Sequence, residues 1–341
     1  MRVVTFGEIL LRLGAPAGTK LFQKDYLDAT FCGSEANVAA SLAVLGLDSL
    51  FVTKVPDTPV GRAAISSLDY FKVDTSKVVY GNGRLGLYYL EKGASQRPSR
   101  VIYDRAYSSI SLSERCEYQW DDIFDNADWF HWSGINPALS DTMSQICFDA
   151  CMKAREKNLT VSCDLNYRKK LWDSDKARSV MSKLMPFVDL CICNEEDAEK
   201  VLGIKTSDTD ISSGQINKEG FSVTAETISN TYGCRYVATT LRKSYSASRN
   251  GWSAMLYDGN MKKSYFSREY DIQIVDRIGG GDSFSAGLIY ALETGMTPSD
   301  ALEFATAASC LKHTMEGDYN RSTAEEIQNL LKTGGNGRVQ R

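Results

Sequence analysis

The stretch DRIGGGDSFSAG, residues Asp276 to Gly287, places three consecutive glycines and an aspartate between two segments of different periodicity. The run YDIQIV before it has the apolar and β-branched composition of a strand. In the segment after it, Phe284, Leu288 and Leu292 recur every four residues, which predicts one face of a helix. The glycines therefore mark a strand-to-helix turn.

This turn, Gly279–Gly281, has a composition that suits an anion-binding site. Glycine N–H groups at a helix start can surround an anion, because no Cβ atoms obstruct them and the helix dipole favours negative charge. Asp282 follows directly, where a carboxylate can accept the proton of an alcohol that attacks a bound phosphoryl group. The same residues also suit a tight connection with Asp282 as the N-cap. On these residues alone both interpretations stay open.

Two other nucleotide-binding motifs are incomplete or absent in this sequence. The dinucleotide fingerprint G-x-G-x-x-G is incomplete, because Phe284 occupies its third glycine position, which disfavours a Rossmann dehydrogenase. No glycine in the chain is followed by lysine, so the P-loop motif G-x-x-x-x-G-K-[ST] is absent. If the protein uses ATP, it binds ATP through residues other than a P-loop.

Elsewhere in the chain, short apolar runs alternate with segments that have the periodicity of helices. Helices are predicted over residues 34–47 and 141–157, the second with Ser140 as its N-cap. This alternation predicts an α/β fold with a mostly parallel central sheet covered by helices on both faces. Buried strands are predicted over residues 3–7, 49–54, 127–133, 159–165, 188–193 and 236–241.

Two segments depart from this alternation of strands and helices. Residues of about 11–31 and 85–111 alternate apolar and polar side chains, as antiparallel strands open on one face do. They predict a small β-sheet lid on a single domain over residues 1–333. Residues 334–341 are expected to form a flexible tail. The aromatic residues Phe22, Tyr26, Tyr88 and Tyr89 would cover the outer face of the lid, which predicts burial against a second copy in a homodimer.

The composition excludes several classes of function. Among 341 residues, the formal net charge is −4, which provides no basic surface for a nucleic acid. No segment approaches the ~20 apolar residues of a membrane span, and Glu8 and Arg12 interrupt the N-terminal run, so we expect a cytoplasmic protein without membrane contact. The two histidines, His131 and His313, are too few for a zinc cluster and make a Ser-His-Asp hydrolase a weak hypothesis.

Polar residues follow several predicted strands. Asp164, Asn166 and Arg168 alternate after LTVSC, and ligands of open α/β sheets bind at the carboxyl ends of strands. The acidic run 194–197 can hold hydrated magnesium or simply complement the dipole of the helix that it opens. Arg105, between two tyrosines of the lid segment, is either a solvated strand residue or a bidentate partner for a carboxylate.

Four motifs together resemble the ribokinase-like (PfkB) family of carbohydrate kinases, over roughly residues 3–326. They are CGSEANVAASLAVLG (32–46), SCDLNYRKKLW (162–172), NEED (194–197) and IVDRIGGGDSFSAGL (274–288), the last of which resembles the signature D-T-x-G-A-G-D. Within the family, TFGEILLRL, GLYYLEKGASQRPSRVIYDRAYSSIS, HWSGINPALS and ASCLKHTMEGDYN resemble 2-keto-3-deoxygluconate kinases.

The resemblance implies an activity. It implies ATP and Mg²⁺ as cosubstrates and transfer of the γ-phosphoryl group to the C6 hydroxyl of 2-keto-3-deoxygluconate. The first alternative is a fructokinase or another sugar kinase of the same family. The second is a sugar-binding or regulatory protein that keeps the scaffold without catalysis; an intact Asp282 argues against it, because a binding protein needs no base.

The resemblance also implies roles for particular residues. Asp282 would be the general base, and the transferred group would be held by Gly279, Gly280, Gly281 and Arg168. The sugar acid would contact Gly33, Asn37, Tyr89, Tyr103, Arg105, Arg168 and Asp282, with Arg105 on its carboxylate. The nucleotide would lie along Asn166, Asn194, Thr240, Arg242, Gly279, Gly281, Ala308 and His313.

The implied cation sites depart from the family pattern. Magnesium would be bound through water by Glu196 or Asp197, the latter standing where the family has a glutamate. Asp276 would bind a monovalent cation such as K⁺, although Arg277 and Ile278 replace a pair that usually contains threonine. Gly280 replaces a common alanine, which would add backbone freedom.

Overall fold

The computed structural model describes residues 1–205 and 217–335, so residues 336–341 of the predicted tail lie outside it, as do residues 206–216. In chain order its strands are β1 Arg2–Phe6, β2 Leu10–Gly14, β3 Asp28–Cys32, β4 Asp48–Val52, β5 Lys54–Pro56, β6 Val79–Gly81, β7 Gly86–Glu91, β8 Arg100–Asp104, β9 Trp129–Ser133, β10 Thr160–Asp164, β11 Leu190–Cys193, β12 Tyr236–Ser246, β13 Arg249–Asp258, β14 Lys263–Phe266 and β15 Tyr270–Gln273.

The helices of these described ranges alternate with the strands through most of the chain. They are α1 Ser34–Leu45, α2 Pro59–Asp69, α3 Trp120–Ile123, α4 Ile135–Leu139, α5 Asp141–Glu156, α6 Ser174–Leu184, α7 Glu195–Leu202, α8 Lys218–Tyr232, α9 Gly280–Glu293, α10 Pro298–His313 and α11 Ala324–Thr333.

The main sheet has the order β14-β13-β12-β11-β10-β9-β1-β4, and β15 also pairs with β13. The pairs from β4 through β12 are parallel, whereas β12, β13, β14 and β15 pair antiparallel. The predicted, mostly parallel sheet is therefore confirmed, with an antiparallel extension on the β12 side. All six predicted strands form; the last continues to Ser246 because it pairs with β13 along its whole length.

Helices cover both faces of this sheet. Within β1, Val4 packs in a core with helices α5 to α8, while its neighbour Val3 packs in a second core with α1, α9, α10 and α11. Adjacent residues of a strand point to opposite faces, so both faces of the strand must be apolar. This explains why the buried strands read as continuous apolar runs.

Two helix ends follow local sequence signals. The predicted cap Ser140 accepts a hydrogen bond from the N–H of Met143 at 3.1 Å. Helix α1 ends at Leu45 rather than at residue 47, because Gly46 adopts a left-handed conformation with φ 101°. Glycine adopts this conformation without the steric cost that a Cβ atom adds.

The two predicted lid segments form a separate four-stranded sheet in the order β3-β2-β7-β8, hereafter the lid. The β2–β3 and β7–β8 pairs are antiparallel as expected, but β2 and β7 are parallel. Within the described ranges, no helix combines the length and apolar character needed to cross a membrane.

Candidate active site

A cavity of about 330 Å³ lies at the carboxyl ends of the parallel strands and is covered by the lid. Glu8 follows β1, Asp164 ends β10 and Cys193 ends β11, so these strands bring three segments of the chain to one edge. From the lid, Tyr88 of β7 and Tyr103 of β8 face the same space. The location agrees with the general position of ligand sites in open α/β sheets.

The glycine turn forms one wall of this cavity. Gly279 has φ 80°, and a Cβ at this position would lie 1.9 Å from the carbonyl oxygen of Asp318, so the turn requires glycine there. At Gly281 a Cβ would meet nothing within 4 Å, which leaves the backbone open to the cavity. Among the described residues, no side chain caps the start of α9; Gly280 and Ser283 donate to backbone carbonyls, which leaves the N–H groups of Gly281 and Asp282 available to an anion.

Asp282 lies in the first turn of α9 and is held by residues of α1. Ser34 donates its hydroxyl to Oδ1 at 2.8 Å, and Asn37 donates its amide to Oδ2 at 2.6 Å. Asn166 in turn donates to the Ser34 hydroxyl at 3.2 Å. Burial raises the pKa of Asp282 to about 6, while the Asn37 and Ser34 hydrogen bonds oppose this increase. The carboxylate is oriented from two sides and is more basic than a solvated aspartate.

Three further carboxyl groups surround this one. Burial, followed by the charges of Asp197 and Asp282, raises the pKa of Asp164. Burial raises the pKa of Asp197 to about 6 and that of Glu35 to about 7. Asp197 also accepts the N–H groups of Tyr167 at 2.9 Å and Asn194 at 3.2 Å, so it caps α7 as well as facing the cavity. The site is short of positive charge and suits a cationic or metal-bound ligand.

Two arginines supply positive charge near the lid. Arg105 binds Glu8 through both Nε and Nη2, and this ion pair is almost fully buried. Arg168 donates to the carbonyl of Tyr167 at 3.0 Å and, within the described ranges, forms no ion pair. Arg168 is therefore free to bind an anionic ligand, whereas Arg105 already has a carboxylate partner.

Two buried oxygens of the cavity wall lack hydrogen-bond partners in the described part of the chain. They are Oε1 of Glu8 and Oε1 of Glu35. A buried acceptor without a partner costs free energy, so such atoms are expected to accept hydrogen bonds from a ligand. Hydroxyl groups are suitable donors.

At the other end of the cavity, His313 packs against Trp252 with ring centroids 4.9 Å apart. Its Nδ1 lies 2.7 Å from the carbonyl oxygen of Ser309, and burial lowers its pKa to about 4. The ring is therefore neutral at physiological pH, and Nδ1 donates to the carbonyl. Its atom Cε1 would lie 2.4 Å from a Cβ at Gly280, so glycine there makes room for the imidazole.

The structure brings most of the predicted site residues together around the cavity. These are Gly33, Asn37, Tyr103, Arg105, Asn166, Arg168, Asn194, Asp197, Thr240, Arg242, Gly279, Gly281, Asp282 and His313.

Five predicted residues do not line it. Gly280 is buried under His313, and Tyr89 faces away from the cavity and contacts Phe22 with ring centroids 6.0 Å apart. Ala308 is buried between α10 and α9, where its Cβ lies 3.1 Å from the Cβ position of Gly287. Glu196 is exposed beside a neighbouring cavity, and Asp276 is buried behind the glycine turn.

Sequence reasoning also missed several residues that line the cavity. Tyr88, expected on the outer face of the lid, is buried and points inward, because side chains alternate along β7. Ser34 and Glu35 stand in the quoted motif CGSEANV next to Asn37, so their position in the motif was the available signal. Glu8 and Asp318 likewise stand in the quoted motifs TFGEILLRL and ASCLKHTMEGDYN, but no role was assigned to them there.

A family model described as pfkB family carbohydrate kinase matches residues 2–228 and 249–325. The chain belongs to this family. A 2-dehydro-3-deoxygalactonokinase of Haloferax volcanii is 31% identical over 332 residues, which cover 97% of each protein. A crystal structure of 2-dehydro-3-deoxygluconokinase from Thermotoga maritima is 48% identical, with a TM-score of 0.93 over 97% of this chain and 99% of that one.

The fold extends to more distant members. A putative ribokinase II of E. coli is 19% identical and aligns with a TM-score of 0.80 over 97% of this chain and 99% of that one. The protein is thus a carbohydrate kinase with the ribokinase-like fold, and its cavity is a candidate active site for phosphoryl transfer to a sugar.

Proposed function

We propose that this carbohydrate kinase transfers the γ-phosphoryl group of ATP to the C6 hydroxyl of 2-keto-3-deoxygluconate, with Asp282 as the general base. One observation carries the proposal: Asp282 lies in the same cavity as the open N–H groups of the Gly279–Gly281 turn and is one residue from them. Proton acceptance and anion binding thus take place next to each other.

Different residues of the cavity have different roles in the reaction. Asp282 accepts the proton of the sugar hydroxyl as that oxygen attacks, and Ser34 and Asn37 hold the carboxylate in position. The N–H groups at the start of α9 and the guanidinium of Arg168 stabilise the charge on the phosphoryl oxygens. Each of these contacts acts at an atom whose charge changes during transfer.

The sugar acid fits the lid side of the cavity. Its hydroxyl groups can donate to the unpaired oxygens of Glu8 and Glu35, and its carboxylate can bind Arg168 and the remaining Nη1 of Arg105. The 48% identity to a 2-dehydro-3-deoxygluconokinase, which is named for the same sugar acid, supports this choice of substrate.

The nucleotide fits the opposite end, along Asn194, Thr240, Arg242 and His313. Among the described residues, no group of three or more His, Cys, Asp or Glu side chains is arranged to hold a metal directly. Mg²⁺ usually keeps several waters and binds one or two carboxylates plus substrate phosphates, so the buried Asp164 and Asp197 fit an indirect role. Bound magnesium would neutralise phosphate charge; the protein steps remain those of Asp282, Arg168 and the glycine turn.

A second candidate substrate is the galactonate epimer, 2-keto-3-deoxygalactonate. The 31% identity to a 2-dehydro-3-deoxygalactonokinase over nearly the full chain favours including it. The two sugar acids differ only in the configuration of one hydroxyl group, which leaves the carboxylate and the C6 hydroxyl unchanged.

A substrate panel tests the proposal. ADP release with Mg·ATP is measured for both epimers, gluconate and fructose, and phosphorylation at C6 is checked by NMR. We expect kcat/KM to be highest for 2-keto-3-deoxygluconate. Preference for fructose would indicate a fructokinase instead, and no turnover with any sugar would favour a binding protein.

The variant Asp282→Asn tests the general base. Loss of a positioned base typically lowers the rate by about 10²–10⁴, so kcat should fall in this range with little change in sugar affinity. Its midpoint of thermal unfolding should not fall, because burial disfavours the charged carboxylate in the folded state. Near-normal turnover would reject Asp282 as the base.

We also propose that the protein forms a homodimer through the outer face of the lid. Phe22 and Tyr26 are 73% and 60% exposed, and residues 28–30 of the edge strand β3 are exposed as well. Exposed aromatic side chains beside a sheet edge that is unpaired in the described part of the chain suit burial against a second copy.

A further inference from the structure

A buried cluster of four charged residues lies directly behind the glycine turn. Arg12 of β2 donates to Oδ2 of Asp276 at 2.6 Å and also contacts Oδ1 of Asp318. Lys312 of α10 donates to the backbone carbonyl of Asp276 at 3.3 Å and to that of Met315 at 3.5 Å. The side chains of Arg12, Asp276 and Asp318 are at most 6% exposed, and Lys312 is fully buried.

All four carboxylate oxygens of this cluster accept hydrogen bonds. Oδ1 of Asp276 accepts the N–H of Ile278 at 3.1 Å, while Oδ2 accepts Arg12. Oδ2 of Asp318 accepts the hydroxyl of Tyr88 at 2.6 Å, while Oδ1 accepts Arg12. A monovalent cation needs several oxygen ligands that face an empty site. Here the carboxylate of Asp276 faces a guanidinium and its carbonyl faces an amine.

The charges of the cluster also balance. Two basic side chains, Arg12 and Lys312, oppose two carboxylates, those of Asp276 and Asp318. A further cation would leave the cluster with a net positive charge among almost fully buried side chains, which is unfavourable. The residues around Asp276 therefore do not fit the K⁺ site that the sequence resemblance implies.

The cluster is in direct contact with the turn that binds the phosphoryl group. The carbonyl oxygen of Asp318 occupies the space where a Cβ of Gly279 would stand, at 1.9 Å. The hydrogen bond from Ile278 to Asp276 fixes the residue just before Gly279. Any group that holds Asp276 and Asp318 in place therefore also positions the glycine N–H groups.

We propose that Arg12 and Lys312 supply, from within the chain, the positive charge that positions the Gly279–Gly281 turn, so that phosphoryl transfer needs no monovalent cation. Both are positioning residues, since they act through Asp276 and Asp318. This inference rests on the proposed kinase function for its rate readout, but its stability readout does not depend on that function.

The first experiment uses the wild-type protein with Mg·ATP and sugar acid at constant ionic strength in KCl, NaCl or tetramethylammonium chloride. We expect turnover rates within twofold of one another and thermal midpoints within about 1 °C. Activation by K⁺ of tenfold or more over tetramethylammonium, or a K⁺-specific increase in the midpoint, would overturn the proposal.

The second experiment removes the buried amine with Lys312→Ala. We expect at least a tenfold loss of turnover and a lower thermal midpoint in tetramethylammonium chloride, with partial recovery of both in NH₄⁺ or K⁺, which are small enough to occupy the vacated space. Lys54→Ala is the matched control, because Lys54 is also buried and bonds Glu117 at 2.6 Å outside the cavity. It should lose stability without recovery by either ion.

These outcomes are separable. Full turnover and stability of Lys312→Ala in tetramethylammonium would show that the internal charge is dispensable, and the proposal would be wrong. Loss without recovery in Lys312→Ala, together with an equal loss in Lys312→Arg, would also contradict it. If Lys312→Ala does not fold, the wild-type salt series decides alone. If no sugar is phosphorylated, the thermal midpoints still test the cluster while the kinase proposal fails separately.

Discussion

At the scale of single residues, the proton affinity of Asp282 results from opposing contributions. Burial raises its pKa to about 6, and the hydrogen bonds from Asn37 and Ser34 keep it from rising further. A carboxylate with this pKa is mostly ionised at neutral pH, yet it accepts a proton more readily than a solvated aspartate. The environment therefore suits a general base that works near pH 7.

This balance predicts a pH dependence. If Asp282 is the general base, its carboxylate must be ionised for activity, so kcat/KM should be constant above pH 7 and fall as the pH decreases through about 6. Ser34→Ala removes a hydrogen bond that lowers the pKa and should shift this acidic limb to higher pH. Ser41→Ala is the control, because Ser41 lies on the same helix and bonds the carbonyl of Asn37 instead. An unchanged limb in Ser34→Ala would contradict the assignment.

The contact between Gly280 and His313 explains why this chain has glycine where the family pattern commonly has alanine. Backbone freedom was the role expected for Gly280 from the sequence. The structure adds a steric reason, since the imidazole of His313 occupies the space of the missing side chain. An alanine at this position requires a smaller residue at position 313.

A double-mutant cycle tests this pair. Overpacking of this kind typically costs about 1–3 kcal/mol, so Gly280→Ala should lower the free energy of unfolding by that amount in urea titrations. In a His313→Ala background the same substitution should cost much less, because the opposing ring is gone. Equal costs in both backgrounds would show that the two residues do not compete for space.

At the scale of secondary-structure elements, the ion pair between Glu8 and Arg105 joins the main sheet to the lid. Glu8 follows β1, and Arg105 follows β8. Removing one partner of a buried ion pair leaves an uncompensated charge and is strongly destabilising. A single substitution at Arg105 therefore mixes loss of the proposed sugar contact with damage to this connection.

A matched set of variants separates the two effects. Arg105→Ala should lower both the thermal midpoint and the turnover of the sugar acid, whereas Glu8→Ala with Arg105→Ala removes both charges and should recover much of the midpoint. If Arg105 binds the carboxylate, kcat/KM for 2-keto-3-deoxygluconate should stay at least tenfold lower in the double variant. A neutral sugar would also lose the proposed contact with Glu8 but has no carboxylate for Arg105, so its kcat/KM should fall less. Equal losses for both sugars would assign Arg105 a structural role.

The strands of the main sheet were predictable because burial on both faces leaves continuous apolar runs, as in Val3 to Phe6. By contrast, the sequence did not predict which side chains of the lid strand β7 point into the cavity. Tyr88 and Tyr89 are adjacent aromatics on a strand with residue-by-residue alternation, and a shift of one residue exchanges the two faces. Sequence alone could not assign the inward position to Tyr88.

The active-site prediction has a similar limit. The glycine turn and Asp282 form a local motif, so their proximity follows from the sequence. Glu8, Arg12 and Asp318 have partners far away in the chain: Glu8 and Arg105 are 97 positions apart, and Arg12 and Asp318 are 306 positions apart. Only the tertiary structure brings such pairs into contact.

At the scale of the whole molecule, the exposed aromatics of the lid predict assembly. Phe22→Ser with Tyr26→Ser should convert a homodimer into a monomer in sedimentation velocity at micromolar concentration, because the apolar area that drives association is reduced. Tyr70→Ser is the control, since Tyr70 is 73% exposed but lies at the end of α2. A monomeric wild-type protein would contradict the proposed dimer.

The contact between Arg12 and Asp318 has a further consequence for biosynthesis. Arg12 belongs to the second strand to emerge during translation, and its carboxylate partner emerges 306 residues later. A nascent chain therefore carries this guanidinium without a counter-charge until Asp276 is added 264 residues later, and without its second carboxylate partner until translation is almost complete. A protein shortened between residues 276 and 318 would keep the lid strand but lack one of the two anions that hold Arg12 behind the glycine turn.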